Sequence, residues 1–290
     1  MPENVTNCLL CGHEQHSHFE TIEFRDEQVV NQICDHCGLV FQSPRMTASE
    51  LDEFYAREYR QVYQGDEGPT DKDLRTQKGR AAAILKFMRA SVPKVNRHLD
   101  VGCSAGILLQ EIQGHYKSQT VGIEPGDSYR NYAQTQGIMV YSDISDLKAA
   151  DEAPFDLVSM GHVLEHFADP VTYLTDLRSQ VMSAVGWLLI EVPNLYAHDS
   201  FEIAHMTAFS EHTLTQTLQK AGFEILNLKA HGQPRSDYLP LYLTVIARVV
   251  GGGVSHQVEP EVNVAFKRKQ GLLRRKIVQR LFPGKAWKQV

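Results

Sequence analysis

Leu99-Asp100-Val101-Gly102-Cys103-Ser104-Ala105-Gly106 reads as the end of a buried strand, a tight glycine turn, and the mouth of a helix that opens at Ile107-Leu108-Leu109. Glu124 lies twenty-four residues past Asp100 and closes a second apolar run, Thr120-Val121-Gly122-Ile123. A glycine turn after one strand and an acid after the next describe a Rossmann-like nucleotide site. Glycines at such a turn let the backbone approach a ligand where a Cβ would clash. The acid offers two acceptor oxygens to a ribose diol.

The spacing narrows the ligand. A dinucleotide site uses G-x-G-x-x-G, so that a pyrophosphate rests on the helix N-terminus. Here the pattern is Asp100-x-Gly102-x-x-x-Gly106. An acid ahead of the first glycine repels a pyrophosphate and suits a cationic or zwitterionic ligand. The segment resembles motif I of the class I S-adenosylmethionine (SAM) methyltransferases, with Cys103-Ser104 in the middle of the family pattern.

Three further stretches carry the same resemblance in the same order. Ala153-Pro154-Phe155-Asp156-Leu157-Val158-Ser159-Met160 reads as a turn and a buried strand, running into Gly161-His162-Val163-Leu164-Glu165-His166. This is similar to the family's fourth strand and its His-rich turn. Gly186-Trp187-Leu188-Leu189-Ile190-Glu191-Val192-Pro193-Asn194 resembles the fifth strand, and Ala221-Gly222-Phe223-Glu224-Ile225 the turn before the last hairpin. The resemblance spans about residues 75–250. It implies an α/β fold, a Rossmann-like seven-stranded sheet with an antiparallel edge hairpin. The alternation of strands and helices through Leu177 independently argues for right-handed crossovers and a parallel sheet.

Composition bounds the rest. The 290 residues are 42% hydrophobic and 22% charged, ample for one core plus a small accessory module. No apolar run reaches the roughly 18 residues of a spanning helix. Met1-Pro2-Glu3-Asn4 has neither a basic region nor an apolar signal core, so a cytoplasmic location is the expectation. Charge is uneven. Residues 261–290 hold nine basic residues against the single acid Glu261, while the whole chain is at −6. An acidic body argues against general nucleic-acid binding.

Cys8-x-x-Cys11 and Cys34-x-x-Cys37 are two knuckles, each followed by a glycine, Gly12 and Gly38. Four thiolates at this spacing can close a tetrahedral zinc site with no open position, so the metal is expected to be structural. Between the knuckles, Phe19 to Ile33 alternates polar and apolar residues and suits a hairpin. About forty residues cannot build an adequate core alone, and a metal supplies what is missing. The stretch from Gly38 to Tyr59 looks like the zinc-ribbon leader of a subset of these methyltransferases, many of which act on sugars.

The expected organisation is a zinc-ribbon-like module at 1–45, a helical linker or lid at 46–92, a SAM-binding domain at 93–250, and a linker with a basic amphipathic tail at 251–290. In the tail, Leu272, Leu273, Ile277, Val278, Leu281 and Phe282 fall near one helical face. Such a helix can pack on the body, on a partner subunit, or, through residues 267–282, on an anionic inner-membrane surface.

The resemblance implies roles by position. Asp100 holds the amino end of SAM. Gly102, Cys103 and Gly106 form the turn beneath it. Glu124 takes the ribose hydroxyls. Asp143 meets the adenine amino group with Ile144 against the ring. His162 lines the methionine end, and Tyr59 or Tyr63 closes the site. An acceptor hydroxyl or carbon acid needs a base, and histidine titrates near working pH. His205 is the first candidate and His166 the second; His198 and Glu202 lie in the same region. His205-x-x-x-Phe209-Ser210 looks like a segment of the sugar-modifying members, but Glu202-Ile203-Ala204-His205 keeps only the last histidine of the carbon-methylating pattern. That departure favours oxygen methylation of a sugar, as nucleotide-sugar or surface polysaccharide. The alternatives are a quinone-like or other small metabolite, RNA, and a SAM-binding module without catalysis.

Overall fold

The computed structural model describes residues 2–24, 27–57, 68–198, 201–250 and 256–288. Tyr59 and Tyr63, expected to close the site, lie outside the described residues. The chain opens with strands His16–Phe24 (β1), Glu27–Cys34 (β2) and Val40–Gln42 (β3), then helices Ala48–Arg57 (α1) and Asp71–Met88 (α2). Alternation follows: Arg97–Val101 (β4), Ile107–Tyr116 (α3), Gln119–Ile123 (β5), Asp127–Thr135 (α4), Met139–Tyr141 (β6), Ile144–Ala149 (α5), Phe155–Gly161 (β7), Pro170–Gln180 (α6) and Met182–Pro193 (β8). The closing elements are Thr207–Ala208 (β9), Glu211–Lys220 (α7), Phe223–His231 (β10), Tyr242–Val249 (β11), Val264–Leu281 (α8) and Pro283–Ala286 (α9).

The main sheet has seven strands in the order β10-β11-β8-β7-β4-β5-β6. Five are parallel, and β11 runs antiparallel to both neighbours, so the expected edge hairpin is present. The central strands are covered on both faces. Leu99, Leu157, Val158, Leu188, Leu189 and Ile190 are all buried, which is why their sequence reads as continuous apolar runs rather than alternation. Each such side chain contributes roughly 1.5–3 kcal/mol of burial. Strand order reverses between β4 and β7. Their C-terminal ends therefore open a crevice, the place where open α/β sheets bind ligands.

Helix α2 starts at a capping box, Thr70 with Asp73, and buries Ala81, Ile84 and Met88. Ile84 and Met88 pack with Ile112, Leu157, Leu189 and Ile246. The helix expected to be part of a linker or lid is thus one of the covering layers of the sheet.

The N-terminal ribbon is joined to the body more closely than an independent module. Its sheet runs β1-β2-β3-β9, and β9 comes from the loop after β8. Phe41 pairs with Thr207 and Val40 with Ala208. Leu10, Leu39 and Phe41 share one apolar cluster with Leu99, Val158 and Ile190 of the main sheet. The ribbon therefore draws stability from the body's core and does not rely on its cysteine cluster alone.

Helix α8 docks on the body along Val264, Arg268 and Arg275, with Leu272 and Val278 half-buried beside them, so only part of its expected apolar face is turned inward. Arg268 and Arg275 are buried, while Phe266, Leu273, Ile277, Leu281 and Phe282 are exposed. Arg268 donates to the carbonyl oxygens of Leu195 and His198 and pairs with Glu20 at 2.7 Å. Arg275 donates to the Ala197 carbonyl oxygen and lies over the Trp287 ring. The groove these arginines fill is lined by loop carbonyls, and cationic donors satisfy those acceptors where leucine could not. At Gly271 a Cβ would come within 1.8 Å of the Tyr196 carbonyl oxygen, so only glycine lets the helix lie this close to the loop.

Candidate active site

The turn after β4 is built by strain and close packing. Gly102 and Gly106 hold φ of 71° and 76°, which glycine adopts without a Cβ penalty. An added Cβ at Gly102 would meet Val163 Cγ2 at 2.5 Å, and one at Gly106 would meet Ile138 Cδ1 at 2.2 Å. The neighbours that exclude a side chain are the protein's own, so helix and loop packing already requires these glycines. Ser104 takes φ 52° without being glycine. Its amide donates to Glu124 Oε2 at 2.9 Å, and the Gly126 amide donates to Oε1 at 3.0 Å. Two backbone donors therefore hold the Glu124 carboxylate in place, with the residue only 4% exposed. The Cys103 thiol packs inward with Leu109, Ala133, Ile138 and Val140. Its side chain serves the core behind the turn, which the sequence expectation of a ligand-facing residue did not separate.

Asp100, next to last in β4, is buried and accepts a 2.6 Å bond from the Ser159 hydroxyl. That hydroxyl has one proton and spends it on Asp100, so His98 Nε2, at 2.7 Å, must donate to it. Burial pushes the Asp100 carboxyl up to about 7, partly offset by Ser159, with the Glu124 charge adding to the rise. Burial also lowers His98 to about 3, so the relay His98–Ser159–Asp100 has a neutral far end. An acid in this state is stabilised in its charged form by a cation brought beside it.

After β6, Asp143 is the N-cap of α5 and accepts from the amides of Ser145 and Asp146. These bonds lower its pKa. Asp143 and Ile144 both line the cleft, so the cap role does not remove them from it. The cleft also takes in Asp100, Gly102, Glu124, His162, His166, His198, Glu202 and His205. Its volume is about 1370 Å³, more than the roughly 300–1,000 Å³ that one small ligand occupies. It has room for two ligands side by side.

At the end of β7, His162 stands at φ 58°, a left-handed conformation unusual for a side-chain-bearing residue. The bend turns its ring towards two buried carboxylates. Nδ1 lies 3.5 Å from Glu165 Oε1, and Nε2 lies 3.3 Å from Glu191 Oε1. Glu191, fully buried in β8, also faces Arg80 Nε of α2 at 3.1 Å and His231 Nε2 of β10 at 3.4 Å. Thr244 of β11 donates to its Oε2 at 2.9 Å. Burial works against ionisation of Glu191, and His162, His231 and Arg80 outweigh it, so its pKa falls. Glu191 was a missed site residue. Its sequence signal was an acid inside the apolar run Trp187 to Val192, where an unpaired charge would be costly.

The loop after β8 carries His205, and the Leu164–His166 turn carries His166. The two imidazoles meet edge to face with centroids 4.9 Å apart. Burial lowers both, His205 to about 3, so both rings are neutral at working pH. His166 Nδ1 lies 2.9 Å from the Ala204 carbonyl oxygen, an acceptor only, so Nδ1 carries the proton. His205 Nε2 lies 3.6 Å from Glu202. Glu165, beside them, is 1% exposed, and among the described residues neither carboxylate oxygen makes a hydrogen bond. Burial pushes the Glu165 pKa up, and the groups beside it, led by the His162 imidazole, more than reverse this, to about 2.

The four N-terminal cysteines converge as expected. All are free thiols, and their sulfurs lie within 4.8 Å of one another. Cys8–Cys37 and Cys11–Cys34 are each at 3.5 Å. Sulfurs around a tetrahedral zinc with bonds of about 2.3 Å stand about 3.8 Å apart, so the donor set fits that ion. The two knuckles close alike, with Gly12 and Gly38 amides donating to the Cys8 and Cys34 carbonyl oxygens. The second knuckle leads directly into β3, which pairs with β9 two residues beyond His205.

The comparisons agree with this geometry. A family model described as "Methyltransferase domain" matches residues 74–228, more than half of the chain. No curated protein matches the sequence. Among solved structures, the Burkholderia thailandensis 1,6-didemethyltoxoflavin-N1-methyltransferase with its substrate and S-adenosylhomocysteine bound is similar, with TM-score 0.56, 17% identity, and coverage of 80% of this chain and 99% of that one. The plantazolicin methyltransferase BpumL in complex with S-adenosylhomocysteine is similar at TM-score 0.51 and 12% identity, covering 69% of this chain and 94% of that one. At these identities the likeness is one of fold. A seven-stranded sheet of this order and a cleft at its switch point between two ordered acids are joined by a family match over the same residues, and the chain belongs to the methyltransferase-domain family, as a SAM-dependent enzyme.

Proposed function

We propose that this enzyme transfers the methyl group of SAM to a hydroxyl of a sugar, carried on a nucleotide or within a surface polysaccharide. The observation that carries the sugar reading is the lining of the cleft's far end. His198, Glu202, His205, Arg235 and Tyr242 gather there, hydrogen-bonding groups that match a polyhydroxylated acceptor better than an apolar quinone ring.

In this reading Asp100 holds the ammonium of the methionine moiety, and Glu124 accepts from the ribose hydroxyls. Asp143 and Ile144 border the adenine, and His162 borders the methionine end. The sulfonium methyl is already activated, so the protein mainly positions and desolvates. The acceptor hydroxyl must lose its proton as oxygen attacks the methyl. His205 and His166, both neutral, are the groups placed to draw that proton away. A structural zinc held by Cys8, Cys11, Cys34 and Cys37 would fix the ribbon and, through β3 and β9, the loop that carries His205.

Incubation with methyl-labelled SAM and a panel of nucleotide sugars and glycan fractions tests this. Label in the sugar, lost in His205→Ala with S-adenosylhomocysteine affinity retained, is the expected result. Label appearing only in RNA or in non-sugar metabolites overturns the acceptor.

A further inference from the structure

The His205–His166 corner contains a third group that proton transfer alone does not use. Glu165 is buried beside the two rings, and among the described residues neither of its oxygens makes a hydrogen bond. A carboxylate in this condition is costly unless a positive charge sits beside it. His162, the imidazole paired with it at 3.5 Å, is shared with Glu191. One ligand atom from each of Glu165, His166 and His205 lies within 4.8 Å of the other two. Donor atoms on a cation with bonds of about 2.0–2.2 Å stand roughly 3.0–3.5 Å apart, so the three side chains close in by up to about 1.5 Å when one binds, a shift within reach of side-chain rotation. His166 meets a further requirement. Its Nδ1–H donates to the Ala204 carbonyl oxygen, which fixes the ring and leaves the lone pair on Nε2, the arrangement usual for metal-bound histidine.

We propose that Glu165, His166 and His205 form a binding site for a divalent first-row cation at the acceptor end of the cleft. Two imidazole nitrogens and one carboxylate oxygen, with His166 and His205 on the cleft wall, leave open positions towards the acceptor. There the cation binds the acceptor hydroxyl and lowers its pKa. The hydroxyl proton leaves to Glu202 or to water, the oxygen bonds to the SAM methyl, and the carbon–sulfur bond breaks to give S-adenosylhomocysteine. This role rests on the hydroxyl-acceptor reading above. It makes the two histidines ligands that acidify the hydroxyl through the metal rather than bases acting on it directly. The ribbon cysteines are a separate site, all sulfur, which Mn2+ disfavours.

The test is titration of Mn2+ into zinc-loaded protein, followed by calorimetry and by electron paramagnetic resonance, with and without S-adenosylhomocysteine. The expected result is one Mn2+ per chain. Affinity should fall at least about tenfold in both Glu165→Gln and His205→Gln, whose S-adenosylhomocysteine binding reports that they are folded. Absence of Mn2+ and Co2+ uptake by protein that binds S-adenosylhomocysteine overturns the site. So does unchanged Mn2+ affinity in both variants. Because the readout needs no acceptor, failure of the sugar reading leaves this result intact, and failure of the cation leaves the cofactor site intact.

Discussion

At the residue scale, the buried acids set the chemistry and the pH behaviour. Asp100 titrates at about 7 in the folded protein against 3.8 as an ordinary aspartate. Its charged form is the penalised one, so the unliganded protein loses stability as pH rises from 3.8 towards about 7 and no further above it. An ammonium bound beside Asp100 reverses the preference and releases a proton. Calorimetry should therefore show S-adenosylhomocysteine affinity rising with pH until about 7 and then levelling, and Asp100→Asn should weaken binding and flatten that rise. Glu191→Gln gives a second test. It removes the charge that Arg80, His162 and His231 face, and urea unfolding should show a loss of about 2–4 kcal/mol. The acids Asp100 and Glu124 were legible because each closes an apolar run. The partners of Glu191 were not, since they come from α2, β7, β10 and β11 and share no sequence neighbourhood.

At the element scale, helix α8 shows where pattern misleads. Leu273, Ile277 and Leu281 point outward, while Arg268 and Arg275 are inward with Leu272 and Val278 half-buried beside them. Periodicity counts apolar residues, whereas this helix docks on a loop whose surface is carbonyl oxygen. Arg275→Ala should therefore cost about 1–3 kcal/mol in urea unfolding, because the Ala197 carbonyl loses a charged donor. Leu273→Ser should change stability by no more than about 0.5 kcal/mol. Equal losses in the two variants would contradict the packing seen here. The parallel strands were legible for the opposite reason, since Leu157-Val158 and Leu188-Leu189-Ile190 are covered on both faces and read as unbroken apolar runs.

At the scale of the whole molecule, the ribbon and the catalytic body form one mechanical unit. β3 pairs with β9, the Gln42 amide donates to the Met206 carbonyl oxygen, and both contacts flank His205. Among the described residues, no strand pairing joins the turn at Gly102 or the Glu124 segment to the ribbon. Chelating the metal, or Cys37→Ser, should thus abolish methyl transfer while S-adenosylhomocysteine affinity changes less than about threefold. Equal loss of both would place the ribbon under the cofactor half as well. The sequence by itself determined the strand-and-helix alternation, the glycine turn, the two acids after β4 and β5, and the pairing of the cysteine knuckles. Each of these is a local signal, set by residue type and spacing within a few turns of chain. Only the tertiary structure decided that the ribbon's third strand holds the loop that carries His205, that α8 docks through Arg268 and Arg275, and that Glu165 lies buried beside His166 and His205. Those facts join residues about forty to about two hundred and fifty positions apart, and such contacts are chosen by the shape and polarity of surfaces that exist only after the sheet has formed.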